Sequence, residues 1–278
     1  MIIFLESVVA ACIAGLLCGY LGTYLRRLRL ITLGFAVAHG AIAGASIAFM
    51  MGYPVEMPAF LFGVLAATLI EVLHRRFGVE RDVASMYVFS FSSALAVIAI
   101  YSTPTILLTS DIASMILWGS ILTMTLDKIL ILCMLLLLLL AYTRAFRLEL
   151  DSILFDQKLA ESEGVRVGLH VTVFILISSA SVAILLRFVG GLLLFSLIFS
   201  PAIAATSISY RRQGGVGAAI GSAAGIIGVV LSFALDLPIG STIAISSGML
   251  SIALASIFML LGKRKMRFLV LQSGDSVG

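Results

Sequence analysis

The chain has 278 residues, of which 61% are hydrophobic and only 12% are charged, and its formal net charge is +4. A soluble domain of this length needs far more polar surface, so the composition excludes an ordinary soluble protein and predicts an all-α membrane protein. The basic residues lie between apolar segments, which indicates membrane topology and argues against nucleic acid as a partner. Three cysteines (Cys12, Cys18 and Cys133) lie inside apolar runs without metal-ligand spacing, so neither disulfides nor a zinc site is predicted.

Apolar segments fill most of the chain and predict transmembrane helices. About 20 residues are needed to cross a hydrocarbon core of roughly 30 Å, because each helical residue rises about 1.5 Å. Residues 111–122 are too short to cross and predict a half-helix or an interfacial segment. We therefore expect one domain, residues 1–278, forming a polytopic bundle of eight or nine transmembrane helices. The predicted spans lie near residues 3–24, 31–52, 58–75, 84–103, 126–147, 168–188, 192–210, 215–235 and 240–262.

Basic residues flank alternate ends of these spans. Only Lys128 and Arg187 fall at the other ends. Because positively charged flanks stay in the cytoplasm, the pattern predicts a cell-membrane protein with its N-terminus outside and its C-terminus in the cytoplasm. The residues on the predicted cytoplasmic side are Arg26, Arg27, Arg29, Arg75, Arg76, Arg81, Arg144, Arg147, Lys158, Arg166, Arg211, Arg212, Lys263, Arg264, Lys265 and Arg267.

Two further patterns concern the spans themselves. Gly217, Gly221 and Gly225 are spaced four apart, which places them on one helix face and lets a neighbouring helix approach closely. Tight packing is one interpretation, and a flexible or pore-lining helix is the alternative. Glu71 lies one turn before Arg75, which predicts an ion pair whose glutamate reaches towards the membrane surface, and a transport ligand is the alternative.

The longest polar stretch inside the bundle is residues 148–167. Asp156 can cap a helix start, the next residues can form about two turns, and Gly164 suits the left-handed position after a helix. A short, charged and capped helix is the form of a docking element for a soluble partner, and an ordinary cytoplasmic loop is the alternative.

The sequence contains no G-x-x-x-x-G-K-[ST] motif that could cradle nucleotide phosphates, and no Ser/His/Asp or Cys/His constellation. It therefore predicts no enzyme and no tightly bound cofactor, and any ATP hydrolysis must come from another chain.

Five blocks in chain order resemble the ABC-3 family of metal permeases, the membrane subunits of zinc, manganese and iron importers. They are LRRLRLITLGFAVAHGAIAGASIAFMMG, ERDVASMYVFSFSSALAV, FDQKLAESEGVRVGLH, RFVGGLLLFSLIFSPAIAAT and ALDLPIGSTIAI. The resemblance implies a permease homodimer, two separate ATPase subunits and an extracellular substrate-binding protein. It also implies that the ATPase docks on a coupling helix near 156–164, through Asp156, Lys158, Leu159, Glu161, Glu163 and Gly164.

The family's metal-binding motif is altered in this chain. The family pairs an aspartate with a histidine one turn later, where both can share one cation. Here the histidine is His39, but Phe35 stands at the acidic position and Ser120 at the family's second acidic position. Losing two anionic ligands removes charge that would offset dehydration of a divalent ion. His39 remains the candidate ligand for a transported metal.

Three functions stay open on the sequence. The first is an import permease for a transition-metal ion. The second is the same machinery adapted to another cargo, such as a less charged metal chelate. The third is a secondary transporter or membrane scaffold that works without an ATPase.

Overall fold

The computed structural model describes residues 2–103, 121, 124–209 and 212–274. Within these residues the chain forms eleven α-helices and no β-strand. The segment predicted at 111–122 lies outside the described residues, apart from Ile121. The helices are α1 (Ile2–Arg27), α2 (Leu33–Met50), α3 (Glu56–Phe77), α4 (Arg81–Tyr101), α5 (Leu126–Ala145), α6 (Arg147–Phe155), α7 (Gln157–Ser162), α8 (Val167–Val189), α9 (Gly191–Ala205), α10 (Gln213–Leu235) and α11 (Ile239–Gly274).

Eight of these helices are long and apolar enough to cross a membrane, namely α1–α5, α8, α10 and α11. The predicted seventh span is the shorter apolar helix α9, which has 15 residues and ends at Ala205, earlier than the predicted 210. The Thr206 hydroxyl donates a hydrogen bond to the Ile203 carbonyl at 2.7 Å, a local bond that competes with continuation of the helix. The prediction of eight or nine membrane helices is confirmed.

One end of the bundle collects the basic helix termini. Arg26, at the end of α1, donates to the Gln213 side-chain oxygen at the start of α10, at 2.9 Å. Thr32, just before α2, donates to Asp82 in the first turn of α4 at 2.5 Å. Arg75, near the end of α3, donates to the Gly168 carbonyl at the start of α8 at 2.8 Å. The hydroxyls of Tyr20 in α1 and Thr143 near the end of α5 lie 2.8 Å apart. We refer to this end of the bundle as the basic end.

The opposite end holds the two predicted exceptions. Arg187, near the end of α8, pairs with Glu56 at the start of α3. The Lys128 ammonium, at the start of α5, lies 5.9 Å from the ring centroid of Phe188. Successive long helices and α9 therefore alternate in direction, and α1 begins at the end opposite the basic end.

Close backbone contact between α1 and α10 dominates the packing of one half of the bundle. A Cβ atom added at Gly217 would overlap the Gly19 carbonyl, and one added at Gly221 would overlap the Gly15 carbonyl. Gly225 faces the Ala11 carbonyl in the same way. The glycine spacing therefore serves tight helix packing, as small residues do in membranes.

The other half of the bundle packs α2 against α3, α4 and α8. α2 is largely buried, whereas α3 exposes Leu61, Leu65 and Leu69 along one face. Such a continuous apolar face is costly in water and favourable against lipid tails. The burial pattern therefore agrees with a helical bundle embedded in a bilayer.

Candidate cargo and coupling sites

His39 lies half-buried near the middle of α2. Its Nδ1 atom is 3.0 Å from the carbonyl oxygen of Phe35, one turn earlier. A carbonyl oxygen only accepts hydrogen bonds, so Nδ1 carries a proton. In the neutral form of this tautomer the lone pair is on Nε2, the atom that could ligate a metal ion.

An aromatic cluster surrounds this histidine. The His39 ring meets Phe89 of α4 edge to face, with 4.4 Å between the ring centroids. The Phe35 ring lies 4.4 Å from Phe195 and 4.9 Å from Phe199, both on α9. The residue at the family's acidic position therefore packs its ring between α2 and α9, and the His39 ring contacts the aromatic face of α4.

Metal donors do not converge in the described parts of the chain, where no group of three or more His, Cys, Asp or Glu side chains could hold an ion. Cys12, for example, lies 3.1 Å from the Ser222 hydroxyl on α10. Ser120, at the family's second acidic position, lies outside the described residues. The arrangement around His39 therefore offers one imidazole and aromatic surface.

Glu71 is the centre of a polar cluster at the basic end. Its carboxylate accepts hydrogen bonds from Arg75 Nε at 2.7 Å, from Arg81 Nε at 3.1 Å and from the Thr172 hydroxyl at 3.0 Å. The predicted ion pair with Arg75 is confirmed. The Glu71 side chain is only 8% exposed, so its carboxylate is enclosed by these partners where α3, α4 and α8 meet.

The predicted docking segment has the local structure expected of it. The Asp156 carboxylate accepts hydrogen bonds from the backbone amides of Lys158 at 2.8 Å and Leu159 at 3.0 Å. These bonds satisfy amides that have no partner within the helix. Helix α7 then runs from Gln157 to Ser162, and Gly164 takes a left-handed φ of 86°. The segment 156–164 is therefore a capped short helix with a defined stop.

Helix α6 precedes this segment and connects it to the bundle. Asp151 of α6 lies 3.9 Å from Arg27 at the end of α1, which holds α6 against the basic end. Phe155 is 81% exposed and Leu159 is 48% exposed, whereas Ala160 is buried. Glu161 and Glu163 are also exposed. An apolar and acidic surface is therefore presented outside the spans, at one end of the molecule.

Sequence reasoning missed the partners that come from distant parts of the chain. Arg81 and Thr172 join Glu71 from α4 and α8, and Phe195 and Phe199 join Phe35 from α9. A threonine or phenylalanine in an apolar span carries no local signal of such a contact. Spacing alone found only the pairs within one helix, such as Glu71 with Arg75.

Similar proteins have been described in several bacteria. The chain is 29% identical over 262 residues to the manganese import system permease protein ScaB of Streptococcus parasanguinis, covering 88% of this chain and 87% of that protein. It is 26% identical over 241 residues to the chelated iron transport system membrane protein YfeC of Yersinia pestis, covering 86% and 80% respectively. The structure of PsaBC from Streptococcus pneumoniae in complex with Fab matches with a TM-score of 0.74 and 22% identity, covering 90% of this chain and 89% of that chain.

The described part of this chain has apolar helices that alternate in direction and collect basic residues at one end, which places it in the class of polytopic α-helical membrane proteins. Residues 2–259 match the ABC 3 transport family, which accounts for nearly the whole chain. The chain belongs to this family.

Proposed function

We propose that this chain is the membrane-spanning permease subunit of an ABC importer for a transition metal (manganese, iron or zinc), driven by a separate ATPase subunit. The family match over residues 2–259 carries the proposal. Relatives named as manganese and chelated-iron transport proteins support the class of cargo. The sequence has no phosphate-cradling loop, so ATP hydrolysis in such an importer would come from a separate subunit.

The assembly proposed here is a permease homodimer with two ATPase subunits and an extracellular substrate-binding protein. The basic end faces the cytoplasm, because positively charged flanks stay on that side. This orientation presents α7 to the cytoplasm and places the start of α1 outside. The capped helix with its exposed Leu159 and Glu161 then docks on the ATPase.

Uptake by the reconstituted complex tests the proposal. The chain is placed in proteoliposomes with a candidate ATPase and a candidate binding protein from the same organism, and radiolabelled manganese, iron and zinc are offered outside. ATP-dependent uptake of one of these metals is the expected result, with no ATP hydrolysis by the chain alone. Uptake that needs no ATPase, or ATP hydrolysis by the purified chain, would overturn the proposal and favour a secondary transporter.

A metal chelate is the second candidate cargo. The aromatic cluster of Phe35, Phe89, Phe195 and Phe199 favours it, since a less charged complex needs fewer carboxylates and can contact ring faces. The same uptake assay separates the candidates when each metal is offered both free and as a chelate. Uptake of the chelate alone would select this second cargo.

Replacing His39 by alanine should reduce metal uptake tenfold or more, because loss of groups that orient or bind a metal usually costs about 10–100-fold. If position 35 faces the cargo path, Phe35→Asp should tighten divalent metal binding, since it restores an acid one turn from His39. Both effects are measured by uptake and by binding of manganese to the purified complex.

The matched control for this prediction is His74→Ala. His74 also hydrogen bonds a backbone carbonyl through Nδ1, that of Val79 at 2.8 Å, but it lies at the basic end of α3. We expect this variant to retain uptake. Equal uptake by wild type and His39→Ala would show that His39 only packs, and would favour a cargo other than the free metal ion.

Charge reversal at Glu161 and Glu163 should weaken binding of the ATPase while the permease stays folded, because both side chains are exposed on the docking segment. Pull-down of the ATPase by tagged permease measures the effect. Glu80→Lys is the control, since Glu80 is another exposed carboxylate at the basic end. If Glu80→Lys abolished binding while Glu161→Lys/Glu163→Lys did not, the docking site would lie in the connection between α3 and α4.

A further inference from the structure

A cavity of about 660 Å³ opens between α1, α5, α6 and α10 at the basic end. Its described lining includes Arg27, Arg144, Arg147 and Arg212. Asp151 is the single acidic residue among those lining residues. The cavity is therefore strongly basic, and it is separate from both the His39 region and the docking segment. We refer to it as the basic cavity.

The Asp151 carboxylate is the one acidic group among these lining residues, and it lies between two arginines without close contact to either. Asp151 lies 3.9 Å from the Arg27 guanidinium and 3.7 Å from that of Arg147, both beyond normal hydrogen-bond length. Arg144 and Arg212 are exposed on the other sides of the same cavity. The lining therefore carries an excess of positive charge that attracts an anion, and guanidinium groups suit the geometry of phosphate oxygens.

The inner part of the cavity is apolar. Leu16, Leu136 and Leu140 line it, and Leu16 lies about 16 Å along α1 from Arg27, at about 1.5 Å per residue. The Tyr20 hydroxyl lies between the two regions and contacts the Thr143 hydroxyl at 2.8 Å. The cavity therefore has a charged mouth, hydroxyl groups below it and an apolar inner wall. These three regions match the headgroup, the glycerol and the acyl chain of a phospholipid, in that order.

We propose that the basic cavity binds an anionic phospholipid, with its phosphate at the arginines and an acyl chain along the leucines. Basic pockets between membrane helices on the cytoplasmic side are suited to such headgroups. A free phosphate ion would use only the charged mouth and would leave the apolar wall unexplained. The lipid would bridge α1, α5 and α10 at the level where these helices leave the bilayer.

Native mass spectrometry of the purified full chain tests this proposal. The probes are phosphatidylglycerol and phosphatidylcholine with identical acyl chains, and inorganic phosphate is added as competitor. The test variant is Arg144→Gln/Arg212→Gln, which removes two lining charges from exposed positions. The control is Arg76→Gln/Arg166→Gln, which removes two exposed charges at the same end but outside the basic cavity.

Wild type should retain phosphatidylglycerol in preference to phosphatidylcholine, and inorganic phosphate should not displace it. Each basic side chain near an anionic headgroup contributes roughly a fivefold preference, so the test variant should bind phosphatidylglycerol about 25-fold more weakly, and the control should bind it nearly as wild type. Arg212→Gln alone, with an expected loss of about fivefold, is used if the double variant misfolds. Equal losses in both variants, equal retention of the two lipids, or displacement by inorganic phosphate would each overturn the proposal.

Discussion

Replacing Gly221 by valine should prevent α1 and α10 from packing and should destabilise the whole bundle. A Cβ atom at this position would overlap the backbone carbonyl of Gly15, and backbone cannot move aside as a flexible side chain can. Overpacking a tight core usually costs about 1–3 kcal/mol, and a clash with main chain belongs at the upper limit or beyond it. Size-exclusion chromatography and thermal unfolding in detergent measure the loss of folded, monodisperse protein.

Gly215→Val is the matched control on the same helix. Gly215 is exposed, and an added Cβ would meet no atom within 4 Å. Valine is also a slightly better helix former than glycine, so the free energy of unfolding should change by about 0.5 kcal/mol or less. Equal behaviour of the two variants would mean that α1 and α10 are not in close contact in the membrane.

Structural features formed by residues that are close in the sequence can be predicted from that sequence. The apolar segments gave the long helices because a bilayer leaves the backbone no partner except itself. Asp156 and Gly164 marked the start and the stop of the docking segment because capping and left-handed turns involve only adjacent residues. The alternation of basic residues likewise predicted which helix ends lie together.

Features that depend on packing between distant segments were not predictable. The sequence shows Phe35 only as a residue in place of an acid, whereas its ring contacts Phe195 and Phe199 on α9. The sequence predicts one partner for Glu71, in its own helix, but Arg81 and Thr172 approach it from two other helices. A helix that is apolar on all sides can pack any of its faces against a neighbouring helix. A single sequence therefore does not specify which two faces are in contact.

Replacing Glu71 by alanine should be the most damaging single change at the basic end. The mutation removes a carboxylate that holds Arg75, Arg81 and Thr172 together, and it leaves the Arg81 side chain, only 15% exposed, without this anion. Removing one partner of a buried ion pair usually costs about 3–5 kcal/mol, because the remaining charge stays buried. Unfolding of the purified chain in mixed detergent–SDS micelles measures the change in the free energy of unfolding.

Glu56→Ala is the matched control, because Glu56 is also in α3 and also pairs with an arginine, Arg187. Both members of that pair are about half exposed, so its loss should cost about 1 kcal/mol or less. The double variant Glu71→Ala/Arg81→Ala should recover part of the stability lost in Glu71→Ala, since it removes the stranded charge. A Glu71→Ala variant as stable as Glu56→Ala would show that the Glu71 cluster is solvated, and the junction of α3, α4 and α8 would then depend on apolar packing alone.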